Sequence, residues 1–404
     1  MPVSHPTRDL AGTAGGSLAG KKIVLGVTGS IAAVETVKLA RELIRHGAEV
    51  QAVMSEAAQT IIHPYALQYA TGRDVIVKIT GDVEHVAFCG KRAEAYDLLL
   101  IAPCTANTIG KMAAGIDDTV VTTFATTAIG SKLPVLVVPA MHGSMLEHPF
   151  VTENIRKLKD TGVRFVMPVS AEGAAKFPDN ALIVLEVERT LASSPLKGRK
   201  VLITGGPNLE EIDPIRVLTS RSTGKTGAEL ALEAYRRGAE VTIVHRGRLG
   251  VPGIREVFAE SAKDMMDAVI RELKKGYDIY VSAAAISDFT VKKSGQKISS
   301  SGPVTIELKP AAKVIDRARK GFPNLFVVAF KAETVGDEEL VRRAKKRLGE
   351  LKADMIVANR FGGVRDTDVN DVYIIQPGEK PGHVSGRKSA VAAAVMDAIA
   401  GRFG

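Results

Sequence analysis

Residues 21–53 (KKIVLGVTGSIAAVETVKLARELIRHGAEVQAV) open with an apolar run and break at a Gly-containing turn. Apolar residues then recur at helical spacing, stop at a Gly and give way to a second apolar run. That order predicts strand, turn, helix, cap and strand. Residues 198–244 repeat the plan with a long insertion between strand and helix, and RHGAEV and RRGAEV close the two helices alike. Further apolar runs predict buried strands at 97–102, 134–138, 278–283, 325–330 and 355–358. Strands alternating with helices predict an α/β fold: two doubly wound, Rossmann-like domains with mainly parallel sheets. The polar link SSPLKGRK (193–200) marks the boundary. The expected organisation is a flexible N-terminal arm over 1–20, a first domain over 21–192 and a second over 193–404. Segment 291–303 (VKKSGQKISSSGP) is polar and reads as a mobile flap or, equally well on composition, an inert surface loop.

Composition narrows the class. With 45% hydrophobic and 25% charged residues in 404, wholesale disorder is excluded. The longest apolar stretches, LLLIAP (98–103) and LPVLVVPAM (133–141), fall short of a bilayer-spanning helix. No charged-then-apolar signal opens the chain, and two cysteines, Cys89 and Cys104, cannot build a disulfide framework. A soluble cytoplasmic protein with no membrane partner is expected. The net charge of +9 is uneven: residues 1–196 carry 18 basic and 19 acidic side chains, and 197–404 carry 36 and 26. The positive half suits a polyanionic small molecule, although a solvated Lys/Arg surface explains charge alone. Nucleic acid is disfavoured by the absence of Trp and an aromatic content of 5%.

In VTGSIAA (27–33), Gly29 permits a sharp turn and Ser30 offers a hydroxyl beside free backbone N–H groups, a phosphate-binding design. A ligand-free Gly-Ser cap fits as well. The second and third glycines of the dinucleotide fingerprint are missing, which argues against a nicotinamide-dependent reductase. In LLLIAPCTANTIGKMAAGIDDTVVTT (98–123), Thr105, Ala106 and Asn107 follow a buried strand, where ligands bind in such sheets; ordinary helix capping is the alternative. PAMHGSM (139–145) places His142 past another strand, and GDVEHVAF (81–88) holds His85. A histidine near such loops suits a general acid or base.

Taken together, GSIAA, His85, APCTANTIGKMAAGIDD and PAMHxxM resemble the FMN-binding cysteine decarboxylases, most closely the phosphopantothenoylcysteine decarboxylases of coenzyme A biosynthesis. The resemblance implies that His85 is the acid/base residue. Gly29, Ser30, Ser55, Thr105, Ala106 and Asn107 would hold FMN, and Met141 and His142 would meet the substrate. Two positions depart from the commoner bacterial pattern: His142 stands for Asn, and Lys176, in AEGAAKFPDN (171–180), stands for a flap Cys. Both look like archaeal members. Lys176 becomes a candidate for the late protonation, with a structural role equally open.

In the second half, TGGPNLEEIDPIRVLTSRSTGKTG (204–227) carries two Gly clusters without P-loop spacing. Its amides near Ser222–Gly227, with Lys225, suit phosphate at a helix start. Asp288 in AAAISDF (283–289), Lys297, FKAET (330–334) and IVAN (356–359) mark strand ends or loops that fit a magnesium–nucleotide site. ITGGPxxExIDPIRxLT, SxGKxG, AAISDF, QKIS and FKAET resemble the phosphopantothenate–cysteine ligase domain of the same bifunctional family. The resemblance implies that CTP, with Mg2+ or Mn2+, activates phosphopantothenate as an acyl-cytidylate that cysteine then attacks. Lys297 would neutralise charge at the reacting phosphate and Asp288 would recognise the nucleotide. Ser282, Ala283, Ala284 and Phe330 would frame cytosine and ribose, and Lys313 and Arg347 would meet the triphosphate. Ser220 stands where the family has an Asn that retains the intermediate, which puts ligase efficiency in question. A homo-oligomer is also implied, with trimers of flavin domains and dimers of ligase domains, up to a dodecamer. The alternative is a non-catalytic flavin-binding regulatory or scaffold protein of the same fold; His85 and Lys297 favour the enzyme.

Overall fold

The computed structural model describes residues 5–171, 174–360 and 368–403. The chain divides into two units, Met1–Leu191 and Ala192–Gly404. The first is built on β1 (Lys22–Val27), β2 (Glu49–Met54), β3 (Leu98–Cys104), β4 (Val135–Pro139) and β5 (Arg164–Phe165), paired in parallel in the order β2-β1-β3-β4-β5. Every residue of β3 is buried, as a strand covered on both faces requires. Alternation sorts the neighbouring strand: Ile23, Leu25 and Val27 join one apolar layer, and Val24 joins the opposite one. The order reverses between β1 and β3, so their carboxyl ends flank the crevice where such sheets take ligands. A short hairpin of β6 (Val169–Ala171) and β7 (Ala174–Lys176) stands outside this sheet.

Residues 5–20 depart from the loose arm expected from the polar, Gly-rich composition of residues 1–20. Leu18 and Thr7 are buried, and the Thr7 hydroxyl donates to the Tyr69 carbonyl at 2.8 Å. The Ala14 and Leu18 N–H groups also donate to the Arg45 and His46 carbonyls, each at 2.9 Å, so the segment is held against the end of a helix. Both cysteines are buried; burial pushes the Cys89 thiol up to about 12 and likewise raises that of Cys104, so neither is a ready nucleophile.

The second unit carries β8 (Lys200–Thr204), a hairpin of β9 (Leu209–Glu211) and β10 (Val217–Thr219), then β11 (Glu240–His245), β12 (Ile254–Phe258) and β13 (Ile279–Ser282). A second hairpin pairs β14 (Phe289–Val291) with β15 (Leu308–Pro310), before β16 (Phe326–Glu333), β17 (Met355–Arg360), β18 (Val369–Ile375) and β19 (Gly382–Arg387). The main sheet runs β12-β11-β8-β13-β16-β17-β18-β19; it is parallel as far as β17, and the last two strands are antiparallel. Helices on its faces bury Leu202, Tyr280, Val327 and Ile356. Among the described residues no helix is long and apolar enough to cross a membrane.

Candidate functional sites

In the first unit, hydrogen bonds stitch together the loops that leave the strands' carboxyl ends. The Thr28 hydroxyl donates to the Pro103 carbonyl at 2.8 Å and accepts from the Thr105 N–H at 3.0 Å, joining the loops after β1 and β3. The Ser55 N–H donates to the Val27 carbonyl at 3.0 Å, and the Ala140 N–H to the Cys104 carbonyl at 2.9 Å. Gly29, Ser30, Ser55, Thr105, Met141 and His142 are therefore carried on loops along one edge of the sheet, and Ala106 and Asn107 open the helix Ala106–Ala114 at the same edge. Ser55 and Thr105 already use their hydroxyls to cap the following turns, accepting from Ala58 and Thr108, each at 3.3 Å. Ser30 makes no such capping bond. Gly29 is required by close approach: a Cβ there would lie 2.6 Å from the Cβ of Ala57.

His85 lies on a separate helix, Glu84–Cys89, with its ring edge-on to Phe124 at 6.4 Å between centroids. Its Nδ1 is buried without a hydrogen-bond partner. Among the described residues no hydrogen bond joins it to the loop edge. A buried ring nitrogen left unpaired is costly unless something bound supplies the partner. The Ser30 hydroxyl without a capping bond, the Gly-only approach at residue 29 and this orphaned nitrogen fit a phosphorylated, heterocyclic cofactor. His142 is exposed and forms no side-chain cap to the short helix it precedes. Lys176 is exposed at the end of β7; residues 172–173 of the expected flap AEGAAKFPDN lie outside the described residues.

In the second unit a cavity of about 1060 Å³ opens at the carboxyl ends of the central strands. It brings together Ser220, Ser282, Ala283, Ala284, Asp288, Lys313, Phe330 and Arg347, all expected there. Lys297 does not line it; it is exposed on the segment after β14. Seven cations (Arg221, Lys225, Lys313, Lys331, Arg347, Arg360 and Lys388) face three aspartates, Asp288, Asp316 and Asp371. This excess gives the cavity a positive lining at the start of the helix Lys225–Arg236. Several cations are held by acids: Lys313 pairs with Asp288, and Arg347 with Asp316 at 2.6 Å. The Ser220 hydroxyl donates to the Ala285 carbonyl at 3.3 Å, tying the two cavity loops together. Lys331 belongs to the FKAET motif, whereas nothing in the sequence pointed to Arg360 or Lys388; Arg360 lies on a sheet strand and Lys388 just past the last one, visible only once β17 and β19 are aligned.

The two Gly clusters of residues 204–227 have a shared physical reason. A Cβ on Gly227 would lie 2.6 Å from the Gly205 Cα, with backbone on that side and no flexible side chain to yield. Gly227→Ala should therefore force the helix off β8 and destabilise this unit by about 1–3 kcal/mol. Thermal melting checks this, at roughly 2–4 °C per kcal/mol for a domain of this size; an unchanged melting temperature would contradict the close-packing argument.

Comparison with known proteins places this geometry in context. Residues 12–192 match the family described as Flavoprotein, and residues 196–402 match the DNA/pantothenate metabolism flavoprotein C-terminal domain. A coenzyme A biosynthesis bifunctional protein CoaBC of Thermococcus kodakarensis is 50% identical over 376 residues, covering 92% of this chain and 93% of the relative. That of Methanocaldococcus jannaschii is 38% identical over 406 residues, 98% of each chain. Among solved structures, the C-terminal domain of a coenzyme A biosynthesis bifunctional protein CoaBC is 29% identical, with a TM-score of 0.44, covering 52% of this chain and 98% of that one.

Proposed function

The chain belongs to the family of bifunctional coenzyme A biosynthesis proteins, and from that premise we propose how its two units divide the work. The second unit ligates cysteine to 4'-phosphopantothenate, and the first decarboxylates the product to 4'-phosphopantetheine. The observation that carries this reading is the 50% identity running through both units to a bifunctional relative. A non-catalytic scaffold is not favoured by that match.

In the ligase unit the cation-rich cavity takes CTP, with the triphosphate against Lys313, Arg347 and the amides at the start of helix Lys225–Arg236. Entry of the triphosphate competes with Asp288 for Lys313 and with Asp316 for Arg347, releasing acids that are paired in its absence. Ser282, Ala283, Ala284 and Phe330 frame the base and ribose. The substrate carboxylate oxygen attacks the α-phosphorus and pyrophosphate leaves. The cysteine amine then attacks the acyl carbon, forming the amide as CMP departs. Lys297 neutralises the charge that builds on the phosphate, so the catalysis is positional and electrostatic. Ser220, tethered to Ala285, holds the intermediate through its loop. Mg2+ arrives with the nucleotide, since one or two carboxylates plus substrate phosphates suffice to bind it; among the described residues no group of three His, Cys, Asp or Glu side chains could hold a metal unaided.

In the decarboxylase unit Gly29, Ser30, Ser55, Thr105, Ala106 and Asn107 hold FMN. When bound, FMN would accept two electrons from the thiol-bearing carbon, so that the neighbouring carboxylate can leave as carbon dioxide, and would return them to restore the thiol of the product. His85 accepts and returns the proton at its ring nitrogen, Met141 and His142 position the substrate, and Lys176 donates the late proton. The protein works in the cytoplasm as a homo-oligomer.

The purified protein should be yellow. It should turn CTP over to CMP and pyrophosphate only when CTP, phosphopantothenate and cysteine are present together; without cysteine it should release no more than one pyrophosphate per site. A colourless preparation that FMN fails to reconstitute would remove the first unit's assignment. Nucleotide turnover without cysteine would remove the second's.

A further inference from the structure

The motif PNLEEIDPIR (207–216) stands outside the cavity lining, yet it holds three buried polar side chains: Asn208, Glu210 and Asp213. Charged residues in a loop ordinarily face water, so their burial needs a cause. Each is hydrogen-bonded to a segment that carries a site residue. Asn208 accepts from the Ser287 N–H at 2.7 Å, next to Asp288. Glu210 accepts from the Asn208 amide at 2.7 Å, the Ala262 N–H at 2.8 Å and the Thr290 hydroxyl at 3.0 Å. Asp213, 1% exposed, accepts on one oxygen from the Ile215 and Arg216 N–H groups, both at 2.8 Å. Its other oxygen accepts from the Ile298 N–H at 3.2 Å and from Arg216 Nη1 at 3.0 Å.

Arg216 Nη1 also donates to the Ile298 carbonyl at 3.1 Å. Both backbone groups of the residue after Lys297 are thus held by one acid–base pair. Two further ties splice the same stretch to the hairpin: the Ser294 N–H donates to the Ile212 carbonyl at 2.9 Å, and Lys293 pairs with Glu211 at 2.6 Å. At its other end the hairpin runs through Thr219, whose hydroxyl donates to the Asn208 carbonyl at 2.8 Å, into Ser220 on the cavity wall.

We propose that Asp213 is a positioning residue of the ligase: it latches the Lys297-bearing segment to the β9–β10 hairpin and so fixes the root of that lysine relative to the nucleotide cavity. The proposal rests on the ligase reading above. Without the latch, a segment written KKSGQKISSSG has little apolar surface to hold it, and its lysine would be spread over many positions. Four donors converge on two oxygens, which only an ionised carboxylate satisfies; an amide would turn an NH2 toward one donor pair. Burial opposes ionisation, but the three backbone N–H donors and the Arg216 guanidinium outweigh it and hold the carboxyl below its ordinary range. The latch therefore stays closed at any pH near neutrality.

Asp213→Asn in the full chain should lower ligase kcat by about 100-fold, the cost of a small misplacement of a reacting group. The KM for CTP should remain within about threefold, since the cavity itself is untouched. Decarboxylation of supplied phosphopantothenoylcysteine should be unchanged. In a Lys297→Ala background the same change should cost less than about threefold, because coupled residues are not additive. A wild-type kcat in Asp213→Asn, or losses that multiply in the double variant, would overturn the latch. Should Asp213→Asn fail to fold, Ile298→Pro removes the segment's N–H donor, while also fixing the local backbone, and must reproduce the fall in kcat; full activity there overturns the proposal. If Lys297→Ala alone leaves the ligase rate intact, the role given to Lys297 falls and the latch with it. A damaged Lys297→Ala beside an undamaged Asp213→Asn removes the latch alone.

Discussion

Replacing His85 by Asn is expected to slow carbon dioxide release by about 10²–10⁴-fold, the range general acid–base catalysis supplies. Asn keeps a polar group near the ring's Nδ1 but has no proton to exchange near neutral pH. The imidazole suits proton transfer because Nδ1 is buried without a hydrogen-bond partner and the ring lies edge-on to Phe124, so a proton at that nitrogen would not already be shared with a neighbour. The change lies in the first unit and leaves the cation-lined cavity of the second intact. Phosphopantothenoylcysteine should therefore accumulate, while CMP forms at the wild-type rate. Mass spectrometry of the reaction mixture reads both. Normal decarboxylation by the variant would mean that the imidazole does not carry the proton.

Lys297→Ala should lower the ligase rate by about 10²–10³-fold, comparable to the loss of one preorganised donor at a site of developing charge. Lys297 is exposed, so removing it should cost little stability, and the effect should fall on kcat. Lys297→Arg should recover part of the rate, because charge is restored on a longer and planar head. Pyrophosphate release followed at saturating CTP measures each variant. Equal rates for Lys297→Ala and wild type would leave the cavity's own cations to neutralise the phosphate without it.

Much of the scaffold was legible because strands buried on both faces are written as unbroken apolar runs. The runs at 97–102 and 325–330 became Leu98–Cys104 and Phe326–Glu333, the latter extended through FKAE because parallel pairing with β17 continues past the apolar stretch. The antiparallel strands β18 and β19 were not foreseen. GHVSGR carries one apolar residue in six and lies at a sheet edge, where period-two burial is weak. The Asp288–Lys313 pair was equally hidden, since it depends on β14 meeting β15 across a polar stretch of the chain. Nothing in the sequence shows that Asn208, Glu210 and Asp213 are buried, because their partners are distant along the chain. The first-unit loops were easier to find, because a strand end followed by Gly-Ser or Thr-Ala-Asn announces a helix start in the sequence itself.

The central claim is that one chain makes an amide in its second unit and removes that amide's carboxylate in its first. Feeding cysteine labelled with carbon-13 at the carboxyl group, together with CTP, phosphopantothenate and FMN, tests it in one vessel. The account predicts labelled carbon dioxide in a one-to-one ratio with CMP. CMP without labelled carbon dioxide in the FMN-replete wild-type protein, or labelled carbon dioxide without CMP, would contradict it.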